Sequence, residues 1–176
     1  MPGQLFAGVL IGLVALWSWV GIMPAFALVT PMSPAAIPGL QGVFAGTRPD
    51  TLGVSAGQLA PCPDTPNCVA SQAADPAHAI TPLAYGTSRD QARDTLTALI
   101  QNQPRTQIIE QTEDYLYAEC RSRLLGFVDD VEFYLPPQTP VIEMRSASRL
   151  GQSDLGVNRR RLEQIRLAMQ ELGVGA

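Results

Sequence analysis

Thr106–Ser148, TQIIEQTEDYLYAECRSRLLGFVDDVEFYLPPQTPVIEMRSAS, is the stretch whose reading decides the fold. Runs rich in β-branched and aromatic residues are broken at Glu113-Asp114, Leu124-Leu125 and Pro136-Pro137. That punctuation predicts four antiparallel strands over Thr106–Thr112, Tyr115–Ser122, Gly126–Leu135 and Pro140–Ser148. Register follows from side-chain pairing, because a slip of one residue moves every side chain to the other face. Phe133 set beside Leu116 and Met144 places Val131 against Ala118 and Leu135 against Ile142, giving one apolar face. The same register sets Glu132 opposite Arg145 on the outer face, where an opposite-charge pair adds a few tenths of a kcal/mol.

An apolar sheet face needs a cover, and the flanking sequence supplies two helices. Ser88 and Gln91 form an S-x-x-Q capping box, Ala92, Leu96, Leu99 and Ile100 share one helical face, and Pro104 enforces a stop. After the strands, a helix is predicted from Leu155 to Leu172, with Leu162, Ile165, Met169 and Leu172 on one face and Gly173 ending it. The expected fold is therefore α+β: helix, four-stranded antiparallel meander, C-terminal helix, with both helices on one face of the sheet.

Upstream of this unit the chain changes character. No charged residue precedes Arg48, and Leu5–Ile22 is almost wholly apolar. Residues 1–27 read as a signal peptide cleaved after Ala25-Phe26-Ala27, or as a retained membrane anchor, since the apolar run is long and Met1–Gln4 has no Lys or Arg. Residues 28–60, rich in Pro, Gly, Ala, Ser and Thr, lack any helical or strand period and read as a linker or an arm wrapping the domain. Arg48, Asp50 and Leu52 give part of that arm enough character to dock. Residues 61–173 form the expected single domain, exported to the periplasm or a comparable lumen and facing an oxidising compartment.

Charge narrows the function further. The chain of 176 residues carries a net charge of −4 and an isoelectric point near 4.9, which argues against nucleic acid as a partner. All 12 basic residues are arginine, so Schiff-base chemistry and a phosphate-loop lysine are excluded. Eight of those arginines fall between Arg121 and Arg166, where a charge-based function belongs.

Three constellations could carry chemistry. Cys62 and Cys68, in a proline-stiffened loop, predict a disulfide worth about 2 kcal/mol. A metal there would need more ligands than these thiols, His78 and scattered carboxylates offer, so no metal or cofactor is expected. Cys120 falls on the core face beside Asp129 with Ser148 across from it. That trio is the candidate nucleophile site of a thiol-dependent hydrolase or transferase, or else a core filler beside a buried acceptor. The third constellation is the strand–loop–helix from Arg145 to Arg159. Arg145, Ser146, Ser148, Arg149, Ser153, Asp154, Asn158 and Arg159 could hold an anion at the helix start. The alternative spends the same groups internally, with Asp154 capping the helix and Asp130 or Glu132 pairing with Arg145, Arg149 or Arg121.

Pro61-Cys62-Pro63, Pro66-Asn67-Cys68-Val69-Ala70-Ser71, Gly126-Phe127-Val128-Asp129-Asp130-Val131-Glu132-Phe133, Arg145-Ser146-Ala147-Ser148-Arg149 and Ser153-Asp154-Leu155-Gly156-Val157-Asn158-Arg159 together resemble the domain of unknown function family 1499, over about Gly46 to Leu172. The resemblance implies an exported or membrane-associated protein, and no activity or cofactor. The arm Arg48-Pro49-Asp50-Thr51-Leu52-Gly53-Val54 is similar to the cyanobacterial and plastid branch, which implies a thylakoid lumen or periplasm. The leading expectation is a non-catalytic binding or assembly accessory domain whose arginine-rich surface meets an envelope or thylakoid protein, a lipid headgroup or a small anion. A thiol enzyme at Cys120 and a purely structural envelope protein are the alternatives.

Overall fold

The computed structural model describes residues 42–176. The elements run β1 (Cys68–Ala70), β2 (Leu83–Ala84), α1 (Arg89–Gln101), β3 (Thr106–Gln111), β4 (Tyr115–Arg121), β5 (Val128–Tyr134), β6 (Val141–Ser148) and α2 (Val157–Glu171). The fold is α+β, with an antiparallel sheet ordered β1-β6-β5-β4-β3 and β2 also paired to β6. The expected four-stranded meander is therefore incomplete. β1 pairs Cys68–Ala70 with Ala147–Arg145, and β2 pairs Leu83–Ala84 with Ile142–Val141, so two short pieces from before α1 close the β6 edge. Strands this short cannot show an alternating pattern, and only their pairing with β6 defines them.

Within the meander the register is as the side chains require. Leu116 faces Phe133, Phe133 faces Met144, and Ala118 faces Val131. This face joins Ala92, Leu96 and Ile100 of α1 and Leu162, Ile165 and Met169 of α2 in one buried cluster. Ile108 packs on the helix-side cluster and Ile109 on the other, as successive strand residues do, and a bulge between Ile108 and Glu110 then shifts the register so that Glu110 pairs with Tyr117.

The helix ends have identifiable causes. Ser88 Oγ accepts from Gln91 N at the start of α1, as the capping motif requires. At the end of α2, left-handed Gly173 lets Val174 N donate to Met169 O and Gly173 N to Gln170 O, each pair closing a carbonyl the helix would leave open. The tail then pairs beside β2, with Ala176 N donating to Ala84 O. The start of α2 departs from expectation: Leu155 and Gly156 both have positive φ, 54° and 77°, so the helix begins two residues later, at Val157. Cys62 and Cys68 form the expected disulfide, with Cα atoms 5.6 Å apart. It anchors the loop before β1 to the sheet.

The segment before the disulfide does not hang free. Leu52 and Leu59 pack on Tyr115, Tyr117 and Tyr134 of the outer sheet face, so residues 48–59 roof the side opposite the helices. Among the described residues no helix is long and apolar enough to cross a membrane. Leu5–Ile22, read above as leader or anchor, lies outside the described residues.

Candidate functional site

The roof changes the chemistry beneath it. Glu132 is indeed opposite Arg145, but the pair is not the solvent-exposed one expected from the sequence: Glu132 is 0% exposed and Arg145 6%. Glu132 accepts from Arg145 Nη1 at 2.9 Å, from Tyr115 Oη at 2.8 Å and from Gly53 N of the roof at 2.8 Å. The covering arm removes the water that would otherwise screen these charges.

A second network lies beside the first. Arg149 Nε donates to both oxygens of Asp130, at 3.1 and 3.0 Å, and its Nη2 donates to Glu119 Oε1 at 2.6 Å and Tyr117 Oη at 2.9 Å. Arg48 from the roof adds a 2.6 Å contact to Glu119 Oε1 and stands 5.5 Å over the Tyr117 ring, while Arg121 Nη2 takes Glu119 Oε2 at 2.9 Å. Burial alone would raise the Glu119 carboxyl, but hydrogen bonds from Arg149 and Arg48 outweigh it and bring the group down to about 2. Burial pushes the Tyr117 hydroxyl well above its ordinary range, helped by its hydrogen bond to Asp130. Burial would lower Arg149, and Asp130 and Glu119 reverse the sign.

The strand–loop–helix residues are drawn together, but into one another. Ser148 Oγ donates to Asp129 Oδ1 at 2.6 Å, and Arg161 Nη2 donates to Asp129 Oδ2 at 2.5 Å. Asn158, fully buried, accepts from Ser146 Oγ at 2.6 Å and Arg161 Nη1 at 2.7 Å, and donates to Asn67 O at 2.9 Å and Ser148 Oγ at 3.0 Å. Asp154 accepts from Gly156 N at 2.9 Å and Asn158 N at 2.7 Å, capping α2. Ser153 Oγ accepts from Leu155 N, and Arg159 donates to the carbonyls of Ala79 and Ala77. Arg161, which sequence reasoning passed over, is central here. Its only advance signal was its place in the Arg159-Arg160-Arg161 run.

Cys120 lies beside Asp129 in the register, as expected, with its sulfur 3.4 Å from Thr106 Oγ1. The residue is buried and burial raises its thiol, the opposite of what activates a nucleophile. His78, the chain's one histidine, is held elsewhere, with Nδ1 2.7 Å from Asp75 Oδ2 and Nε2 3.1 Å from Thr65 O. With the Cys62–Cys68 bridge intact, iodoacetamide is expected to leave Cys120 unmodified in the folded protein and to label it on unfolding, as mass spectrometry would show. Rapid labelling of the folded chain would restore the thiol as a candidate. Among the described residues no group of three or more His, Cys, Asp or Glu is placed to hold a metal ion.

Arginines with donors to spare gather at one end of the sheet, where β3 begins and β4 ends. A cleft of about 470 Å³ is lined by Gly42, Arg105, Arg121 and Arg123 among others. A second, of about 370 Å³, shares Arg105 and Arg121 and adds Arg160 and Arg161, with Cys120 in its floor. Among the described residues no carboxylate lines either cleft. Among the described residues Arg105, Arg123 and Arg160 form no ion pair, and no Asp or Glu precedes Gly42. Arg105, left-handed at φ 58°, is held by a reciprocal pair: its Nε donates to Arg121 O at 3.3 Å and Arg121 N donates to Arg105 O at 2.9 Å. Arg160 Nη1 donates to Leu155 O at 2.8 Å. The backbone thus fixes two guanidinium groups while leaving most of their donors unspent.

No curated protein and no solved structure matches the chain significantly. Residues 58–169 match the model of one family, protein of unknown function DUF1499. That span takes in β1 through most of α2 and covers more than half of the chain, so the protein belongs to the DUF1499 family.

Proposed function

We propose that this chain is an exported, non-catalytic binding domain, and that its ligand is an anion held at the clefts of Arg105, Arg121, Arg123 and Arg160. The carrying observation is that, among the described residues, Arg105, Arg123 and Arg160 form no ion pair and no carboxylate lines their clefts, in a chain of net charge −4. Glu119 and Asp129 neutralise Arg121 and Arg161, but the neighbouring Arg105, Arg123 and Arg160 keep their charge unpaired and maintain an attractive field for a negative group. Guanidinium forks also match phosphate and carboxylate oxygens bidentately.

Arg149 and Arg159 support the domain from within instead of meeting the ligand, since carboxylates and carbonyls already occupy them, and Arg145 is buried against Glu132 beneath the roof, with its Nε unpartnered among the described residues. Catalysis finds less support: the buried Cys120 thiol is raised and has no imidazole beside it. Export rests on the uncharged apolar start of the sequence and on a disulfide, which persists in oxidising compartments.

Inorganic pyrophosphate titrated into the disulfide-intact protein at low ionic strength is expected to bind saturably and to shift the side-chain resonances of Arg105, Arg123 and Arg160. The R105Q/R123Q variant should fold normally and bind at least about tenfold more weakly. Absence of saturable binding, or an unchanged affinity in the variant, would remove the reading and leave a structural envelope role.

A further inference from the structure

The arginine clefts adjoin an apolar rim that the domain does not use. Of the nine large hydrophobic residues exposed among the described residues, Leu124, Leu125, Leu150, Leu155 and Val157 belong to this end. Leu124 and Leu125 flank Phe127 at the β4–β5 turn. Phe127 in turn lines a cleft with Leu150, Leu155 and Val157 at the start of α2, where the two carboxylates also in the lining, Asp129 and Asp154, are held by Ser148 and Arg161 and by the backbone N–H groups of Gly156 and Asn158. The arginine clefts connect to both: Arg123 lies with Leu124 and Leu125, and Val157 lies with Arg160. Exposed leucines and arginines therefore share neighbouring clefts at one end of the domain.

Leu155 is the most informative of them. It is 85% exposed and adopts φ 54°, a conformation that disfavours side chains larger than glycine. Both features are unfavourable for a leucine that only links a strand to a helix. Arg160 Nη1 on the Leu155 carbonyl binds the cation directly to the backbone that presents the leucine. Chain direction adds an independent observation. Gly42 lines the cleft of Arg105 and Arg123, and the sequence N-terminal to it holds the uncharged apolar run Leu5–Ile22.

We infer that this end of the domain docks on an anionic phospholipid bilayer, with Leu124, Leu125 and Leu155 entering the interface and Arg105, Arg123 and Arg160 meeting headgroup phosphates. The inference rests on the anion-binding reading above and assigns it a source. Apolar burial and attraction to an anionic leaflet reinforce each other when leucines and arginines share one surface. A free anion would engage the clefts and leave the leucines in water. A protein partner would gain nothing particular from the uncharged segment that leads to Gly42.

The test uses the full chain and amide hydrogen exchange over Ser122–Phe127 and Leu150–Val157. Vesicles of phosphatidylcholine with phosphatidylglycerol are expected to slow exchange there by about tenfold, the factor reached when nine-tenths of molecules are docked. Vesicles of phosphatidylcholine alone should not. L124S/L125S/L155S and R105Q/R123Q should each lose the protection. Equal protection without lipid, from the leading segment or a second copy of the chain, would overturn the inference, as would protection that survives the leucine changes. If pyrophosphate binds but the vesicles protect nothing, the arginine reading stands and the bilayer falls. If neither binds, both fall.

Discussion

Arg149→Met is expected to lower the unfolding free energy by roughly 3–5 kcal/mol, the range for removing one partner of a buried charge pair. Methionine retains much of the volume and abolishes the charge, so the loss isolates electrostatics from packing. Asp130 would lose its guanidinium fork and Glu119 one of its two 2.6 Å partners. Equilibrium urea unfolding should show the midpoint falling with an unchanged slope. A loss below about 1 kcal/mol, the size of an exposed pair, would mean the roof leaves these charges in water. Acid probes the same network from the other side. Glu119 is held at about 2 in the fold, against an ordinary 4.5. Its contribution is therefore complete above 4.5 and declines as the pH falls from there toward 2, because the unfolded chain takes up the proton first. In Arg149→Met that part of the acid sensitivity should shrink.

Asn158→Ala is expected to cost about 3 kcal/mol, through groups left unpaired and not through lost apolar contact. One side chain satisfies the Asn67 carbonyl, two serine hydroxyls and a guanidinium nitrogen, and alanine leaves several of these buried without a partner. The same urea titration measures it. A variant that unfolds like the native chain would show that water replaces the amide easily, and would reopen the strand–loop–helix as a place for a ligand.

Much of the architecture was legible because it obeys local rules. Leu116, Ala118, Val131, Phe133 and Met144 alternate with polar residues, and period two admits one register with an apolar face. Ser88 and Gly173 announced helix ends through chemistry of their own. What escaped reading was set by partners distant in sequence. β1 and β2 are three and two residues long and exist through β6. Glu132 looks like a surface residue until Gly53, 79 positions earlier, covers it. Asn158 looks available until Asn67, 91 positions away, accepts from its amide.

The arginine clefts show the same limit. A concentration of arginine after Arg121 was plain in the composition, but composition could not say which of them already had partners. Arg145, Arg149 and Arg161 pair with carboxylates, and Arg159 is spent on carbonyls. Arg105 entered no expectation because it precedes β3, and only the antiparallel pairing of Thr106 with Cys120 brings it beside Arg121.

The roof has a consequence for where the protein can be cut. The family match begins at Gln58, yet Arg48 and Gly53 supply donors to Glu119 and Glu132 within it, and Leu52 shields three tyrosines. A fragment trimmed to the matched span would hold its fold-defining sheet and helices but bare a set of charges that never evolved to face solvent. The autonomous unit therefore starts upstream of the boundary drawn by shared sequence, and an expression fragment should include Arg48.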